Sequence, residues 1–264
     1  MSRPAWSGKG VLHLAFVLAA VLGAGCGVLG SREPAWPQWY LALGDSITAG
    51  TAREPVTYVA AVQQRLGEAQ RPVPLTNLAE AGATTSSMIA GGQLDRAVTA
   101  LRERNGTPGV ITISIGGNDL ARLYRECALG STEECRQRVT TAMGQLDTHL
   151  GTVLQRLREA GGPNATIVVL TYANPLRHPQ CLLSPFAALA DAALEGGPPL
   201  GLDRGLNDVL RERAAAVQGR VAEAAQGVEP SGLLPDCLHP NAEGHAVIAT
   251  RVMEAVDGRN RASG

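Results

Sequence analysis

Apolar positions along this chain fall into two alternating rhythms. Short, largely apolar runs at Trp39–Leu43, Leu75–Ala79, Gly109–Ile115 (GVITISI) and Ala165–Tyr172 (ATIVVLTY) read as strands, the last two as strands buried on both faces. Between them, apolar residues recur at helical spacing over Tyr58–Gln70, Leu94–Arg104 and Glu134–Ala160, the last closed by Gly161-Gly162-Pro163. Leu202–Gln226 and Ala242–Val256 read as two more helices, with room for a short strand in Val228–Leu234. Strands separated by helices predict an α/β domain in which a parallel sheet is covered on both faces. In such a sheet ligands bind at the carboxyl ends of the strands, near the switch point in strand order. Residues 173–202 hold five prolines and are long for a strand-to-helix connection, so they are expected to form a substrate loop or lid.

The first residues break this pattern. MSRPAWSGKG carries Arg3 and Lys9 and no acid, and Val11–Gly25 is almost wholly apolar, as in an export signal. The segment is shorter than the roughly 20 residues a membrane span needs. It ends in Leu22-Gly-Ala-Gly-Cys26, which resembles a bacterial lipoprotein signal, although that pattern prefers leucine three places before the cysteine, where Gly23 stands. The resemblance implies cleavage before Cys26 and a membrane tether through its lipidated end; plain secretion and an uncleaved anchor are the alternatives. The expected organisation is a signal at 1–25, a tether at 26–38, one globular domain at 39–257 and a tail at 258–264.

Composition narrows the function. The chain of 264 residues is 45% hydrophobic but only 3% aromatic, so Leu, Val, Ile and Ala must fill the core. The formal net charge of −1, with no basic run, argues against a nucleic-acid partner. Beyond Cys26 there are four cysteines, Cys127, Cys135, Cys181 and Cys237; in an exported chain an even count reads as disulfides. Three pairings are open. Nearness favours Cys127 with Cys135, which leaves Cys181 with Cys237; four buried thiols is the other reading. No Cys-x-x-Cys pair is present, so no zinc site is expected, and no cofactor is implied.

Four polar clusters fall where the ligand edge of the sheet should lie: Gly44-Asp45-Ser46, Asn77 to Gly82, Gly116-Gly117-Asn118-Asp119, and Asp236-Cys-Leu-His239-Pro-Asn241. Their chemistry fits together. A serine hydroxyl needs a base to take its proton, and His239 would serve Ser46. An imidazole in that role needs an acceptor at its other nitrogen, and Asp236, three residues earlier, is within one turn of it. The oxyanion formed on attack needs donors already in place; the Ser46 and Gly82 backbone N–H groups and the Asn118 amide would supply three. Asp45 and Asp119 read as loop-shaping residues, His245 as packed on the last helix, His149 as solvent-facing, and His178 as a loop residue open to substrate.

These four blocks, in this order, resemble the SGNH (GDSL) hydrolases over about Tyr40 to Val256. The signature positions of that family fall on Ser46, Gly82, Asn118 and His239, with Asp236 as the histidine's partner; Ile47 stands where the family's short name has leucine. The resemblance implies a flavodoxin-like three-layer sandwich around a central, mostly parallel sheet of about five strands. It also implies hydrolysis of carboxylic esters or thioesters, from small molecules, lipids or glycans, through an acyl-enzyme and without a cofactor. Acyl transfer to a glycan hydroxyl is a rival within enzymes, and a non-catalytic surface binding module a rival outside them. If Cys181 and Cys237 are bridged, the bond ties the fourth cluster to the proline-rich stretch.

Overall fold

The structure, a computed structural model, describes residues 36–67 and 72–258. The expected signal, Cys26 and most of the tether and tail lie outside the described residues. In chain order the elements are β1 (Tyr40–Gly44), α1 (Ser46–Ala49), α2 (Tyr58–Gly67), β2 (Leu75–Asn77), α3 (Thr85–Ala90), α4 (Gln93–Glu103), β3 (Gly109–Ser114), α5 (Gly117–Ala121), α6 (Tyr124–Leu129), α7 (Thr132–Gly161), β4 (Ala165–Leu170), α8 (Ala187–Glu195), α9 (Leu206–Ala216), β5 (Arg220–Ala222) and α10 (Ala242–Asp257).

The five strands form one sheet in the order β2-β1-β3-β4-β5, and every neighbouring pair is parallel. Because side chains alternate across a strand, the sheet divides the core in two. Leu41, Leu43, Ile111, Ile113, Ile167 and Val169 face α4, α7 and α9. Tyr40, Ala42, Val110, Val168 and Leu170 face α2 and α10. Burial on both sides explains why β1 and β3 read as continuous apolar runs. The order 2-1-3-4-5 is the flavodoxin-like arrangement, whose switch point lies between β1 and β3. The expected α/β sandwich of about five strands is therefore present, and the sheet is wholly parallel.

Local sequence sets several boundaries. Ser131 caps α7: its hydroxyl accepts from the Glu134 N–H while the Glu134 carboxylate accepts from the Ser131 N–H. Asn241 caps α10 by accepting from the Gly244 N–H at 3.1 Å.

Three expectations are corrected. Leu202–Gln226 is not one helix: α9 stops at Ala216, the chain turns through Gln218 at φ 55° and Gly219, and β5 follows. Val228–Leu234 is not a strand. It holds a 3-10 turn at Pro230–Gly232, and Leu233 makes an isolated antiparallel bridge with Pro240. The proline-rich stretch, expected as a substrate loop or lid, is not loop throughout: the strong helix formers AALADAALE make α8 within it, and Pro175, Ala193 and Leu194 line the cleft.

Candidate active site

Gly44 ends β1 against β3 at a point where no side chain fits. A Cβ there would lie 2.0 Å from the Ser114 carbonyl oxygen, and the residue sits at φ 130°. The buried Gln93 amide fixes the same backbone, accepting from the Gly44 N–H at 2.9 Å and donating to its carbonyl at 3.1 Å. Asp45 then caps α1, accepting from the Ile47 N–H at 3.0 Å, while its own N–H donates to the Ser114 carbonyl at 2.9 Å. The chain turns sharply from strand to helix, and Ser46 opens the helix half-buried at the cleft. Its N–H has no intrahelical acceptor, as at any helix start.

His239 arrives from the far end of the sequence. Its Nε2 lies 2.9 Å from Ser46 Oγ, and its Nδ1 lies 2.8 Å from Asp236 Oδ2. A carboxylate only accepts, so Nδ1 carries the proton and Nε2 of the neutral ring accepts from the serine hydroxyl. Asp236 is itself held by its neighbours: Oδ1 accepts from the Leu238 and His239 N–H groups, each at 3.0 Å. Burial opposes its charge, but the hydrogen bonds from the His239 ring and from these two amides prevail and hold the carboxyl below its usual range. The tight loop places Cys237 at φ 63°. It is closed by the Leu234 N–H donating to the His239 carbonyl at 2.8 Å and by the Cys181–Cys237 disulfide.

Asn118 lines the same cleft as Ser46 and His239. It does not cap its helix; Gly116 does. Its amide donates one hydrogen to the Ala83 carbonyl at 3.0 Å, which ties it to the loop carrying Gly82. Gly82 is exposed in that loop at φ 78°, with open space where a Cβ would be, and is not among the residues lining the cleft. Asp119 accepts from the Thr85 N–H at 3.0 Å and from its hydroxyl at 2.6 Å, and so anchors α3. His149 is not solvent-facing as expected: it is half-buried, with Nδ1 3.3 Å from the Thr85 hydroxyl oxygen.

Behind Ser46 runs a buried polar chain that the strand pattern conceals. The Tyr172 hydroxyl donates to Asp45 Oδ2 at 2.7 Å, and the Ser114 hydroxyl donates to Oδ1 at 3.1 Å. Ser114 contacts Thr48 at 2.7 Å, Thr48 contacts the Tyr58 hydroxyl at 2.9 Å, and Tyr58 donates to Thr112 at 3.2 Å. Burial pushes Asp45 up to about 6 despite the donors from Tyr172, Ile47 and Ser114. His245, buried on α10 with Nδ1 accepting from the Tyr58 N–H at 3.4 Å, is pushed down to about 4, also by burial. The one sequence signal for Ser114, Thr112 and Tyr172 is a hydroxyl in or just past an otherwise apolar strand.

The cleft has a free volume of about 80 Å³, and away from Ser46, His239 and Asn118 its walls are mainly apolar, including Leu120, Ala193, Val228 and Leu238. Both disulfides follow the pairing favoured by nearness, Cys127–Cys135 and Cys181–Cys237. The second joins the proline-rich stretch to the His239 loop, with Leu182 and Leu238 exposed beside it.

Solved structures share this fold. A lipase from a goat rumen metagenome is 23% identical, with a TM-score of 0.63, covering 82% of this chain and 96% of its own. Phospholipase A1 from Streptomyces albidoflavus is 23% identical, with a TM-score of 0.57, covering 83% of this chain and 99% of its own. An extracellular lipase from Streptomyces rimosus is 22% identical, with a TM-score of 0.55, covering 82% and 98%. No curated protein sequence matches the chain. The family model for GDSL-like lipases and acylhydrolases matches residues 42–247, a span that holds all four polar clusters, and the chain belongs to that family.

Proposed function

We propose that the protein is an exported serine hydrolase that cleaves carboxylic esters through an acyl-enzyme on Ser46. The observation that carries this reading is the unbroken run from Asp236 to His239 to Ser46, with contacts of 2.8 and 2.9 Å, at the mouth of an apolar cleft. His239 accepts the hydroxyl proton as Ser46 Oγ attacks the ester carbonyl, and Asp236 stabilises the resulting imidazolium. The negative oxygen is received by the Ser46 N–H, the Gly82 N–H and the Asn118 amide. His239 then gives its proton to the departing alcohol. In the second half it takes a proton from water, which attacks the acyl carbonyl, and returns that proton to Ser46 Oγ.

Two disulfides support an exported setting. The apolar walls favour an ester whose acyl group is hydrocarbon over one whose acyl part is highly polar. Ser46→Ala should abolish hydrolysis of p-nitrophenyl acetate and butyrate. Turnover by that variant at the wild-type rate would remove Ser46 from the reaction.

A further inference from the structure

A second hollow lies behind the cleft, and the two share walls. Leu120 and Ala193 line both. Beyond them the hollow is bounded by Phe186, Ala190, Leu183 and the Cys127–Cys135 disulfide, and the described residues that line it are all apolar. Apolar cavities stay dry and favour hydrocarbon. Its present free volume is only about 20 Å³, too little for several methylenes. Leu120, buried on the five-residue α5 two residues after Asn118, lines both spaces, and its side chain has alternative staggered rotamers. Leu183, at the hollow, is 37% exposed, so this end adjoins solvent.

We propose that this hollow receives the distal half of a straight acyl chain whose carbonyl sits at Ser46, with Leu120 as the movable partition, so that the preferred substrates are esters of medium-chain fatty acids rather than acetyl or butyryl esters. The proposal rests on the hydrolase reading. It adds a substrate class and names Leu120, Ala190 and Ala193 as residues that set chain length. α8 then has a task the sequence hid, since one of its faces, through Ala190 and Ala193, borders the path of the chain. The Cys127–Cys135 bond holds α6 against α7 at the far wall of the same space.

The test is a chain-length series of p-nitrophenyl esters. Each further buried methylene is worth roughly fourfold in kcat/KM, so octanoate should exceed butyrate by at least about tenfold. Ala190→Leu, which fills the hollow, should lower the octanoate-to-butyrate ratio about tenfold. Leu183→Trp does the same from the solvent side and covers the case in which Ala190→Leu fails to fold. Leu120→Ala should shift the optimum toward decanoate. An unchanged ratio in whichever of the two filling variants folds overturns the proposal.

Calorimetry on the Ser46→Ala protein separates the two readings. Octanoate should bind more tightly than butyrate, and adding Ala190→Leu or Leu183→Trp should erase the difference. If no ester is turned over but that difference appears and is erased, the hydrolase reading fails and the acyl site stands. If esters are turned over but octanoate binds no better than butyrate, the acyl site fails alone.

Discussion

The Tyr172 hydroxyl donates to the buried carboxylate of Asp45 at 2.7 Å, joining the segment after β4 to the residue before Ser46 across 127 positions of sequence. Asp45 caps the helix that Ser46 begins, so this bond sets where the serine stands. Tyr172→Phe removes one donor from a buried carboxylate, and a loss of about 1–3 kcal/mol of stability is expected at pH 7. The loss should shrink at pH 4, where Asp45 is protonated and needs the donor less. Urea unfolding at both pH values checks this, and an equal loss at both would contradict the assigned charge state.

Two buried groups pull stability in opposite directions with pH. Asp45 titrates near 6 in the folded chain, against about 3.9 unfolded. The folded state therefore holds the extra proton, and stability falls as pH rises from about 4 to 6. His245 titrates near 4, against about 6.5 unfolded, so the unfolded state holds the extra proton and stability rises over pH 4 to 6.5. Each effect is on the order of 3 kcal/mol at full extent, and they largely cancel. The native protein should show a shallow profile of unfolding free energy across this range. Asp45→Asn should expose the rise and His245→Asn the fall; a profile unmoved by either substitution would be wrong for both burials.

The disulfides should differ in what they do. Closing a loop of 56 residues, Cys181–Cys237 should contribute about 4 kcal/mol, and Cys127–Cys135, closing 8, about 2.5 kcal/mol. The first also braces the loop between Asp236 and His239. Replacing both of its cysteines by serine should lower kcat about tenfold or more even below the melting temperature. Thiol titration of the unreduced domain should find no free thiol among these four cysteines; four titratable thiols would end the account.

On the proposed mechanism Asn118→Ala should cut kcat by about a hundred- to a thousandfold with little change in KM, because the amide would act on charge that develops only in the transition state. Melting should fall only modestly, since the lost bond to the Ala83 carbonyl is a single, partly buried contact. A variant that keeps full kcat would assign the amide to loop bracing alone.

What the chain discloses in advance follows from how densely its signals are packed. Ser46, Asn118, Asp236 and His239 each sit in a short polar cluster next to a strand or helix end, and clusters stand out against apolar runs. Gly82 was legible as part of such a cluster, but its exposure and its distance from the walls of the cleft depend on the fold of the loop. Tyr172, Ser114 and Thr112 were hidden because one hydroxyl in or just past an apolar strand leaves the pattern intact. α1 and α5 span four and five residues, less than two helical turns, so periodicity cannot register them. β5 has three residues and merged with α9, because Val217 and Val221 also fit a helical spacing. That Leu120 and Ala193 line both the cleft and the second hollow depends on which side chains meet in space, and no spacing along one segment encodes it.

The most direct measurement is reaction of the native protein with a fluorophosphonate, followed by peptide mass mapping. The account predicts a single covalent adduct on Ser46, formed at a rate that collapses in His239→Ala. An adduct on any other residue, or labelling of Ser46 at the same rate without His239, would contradict it.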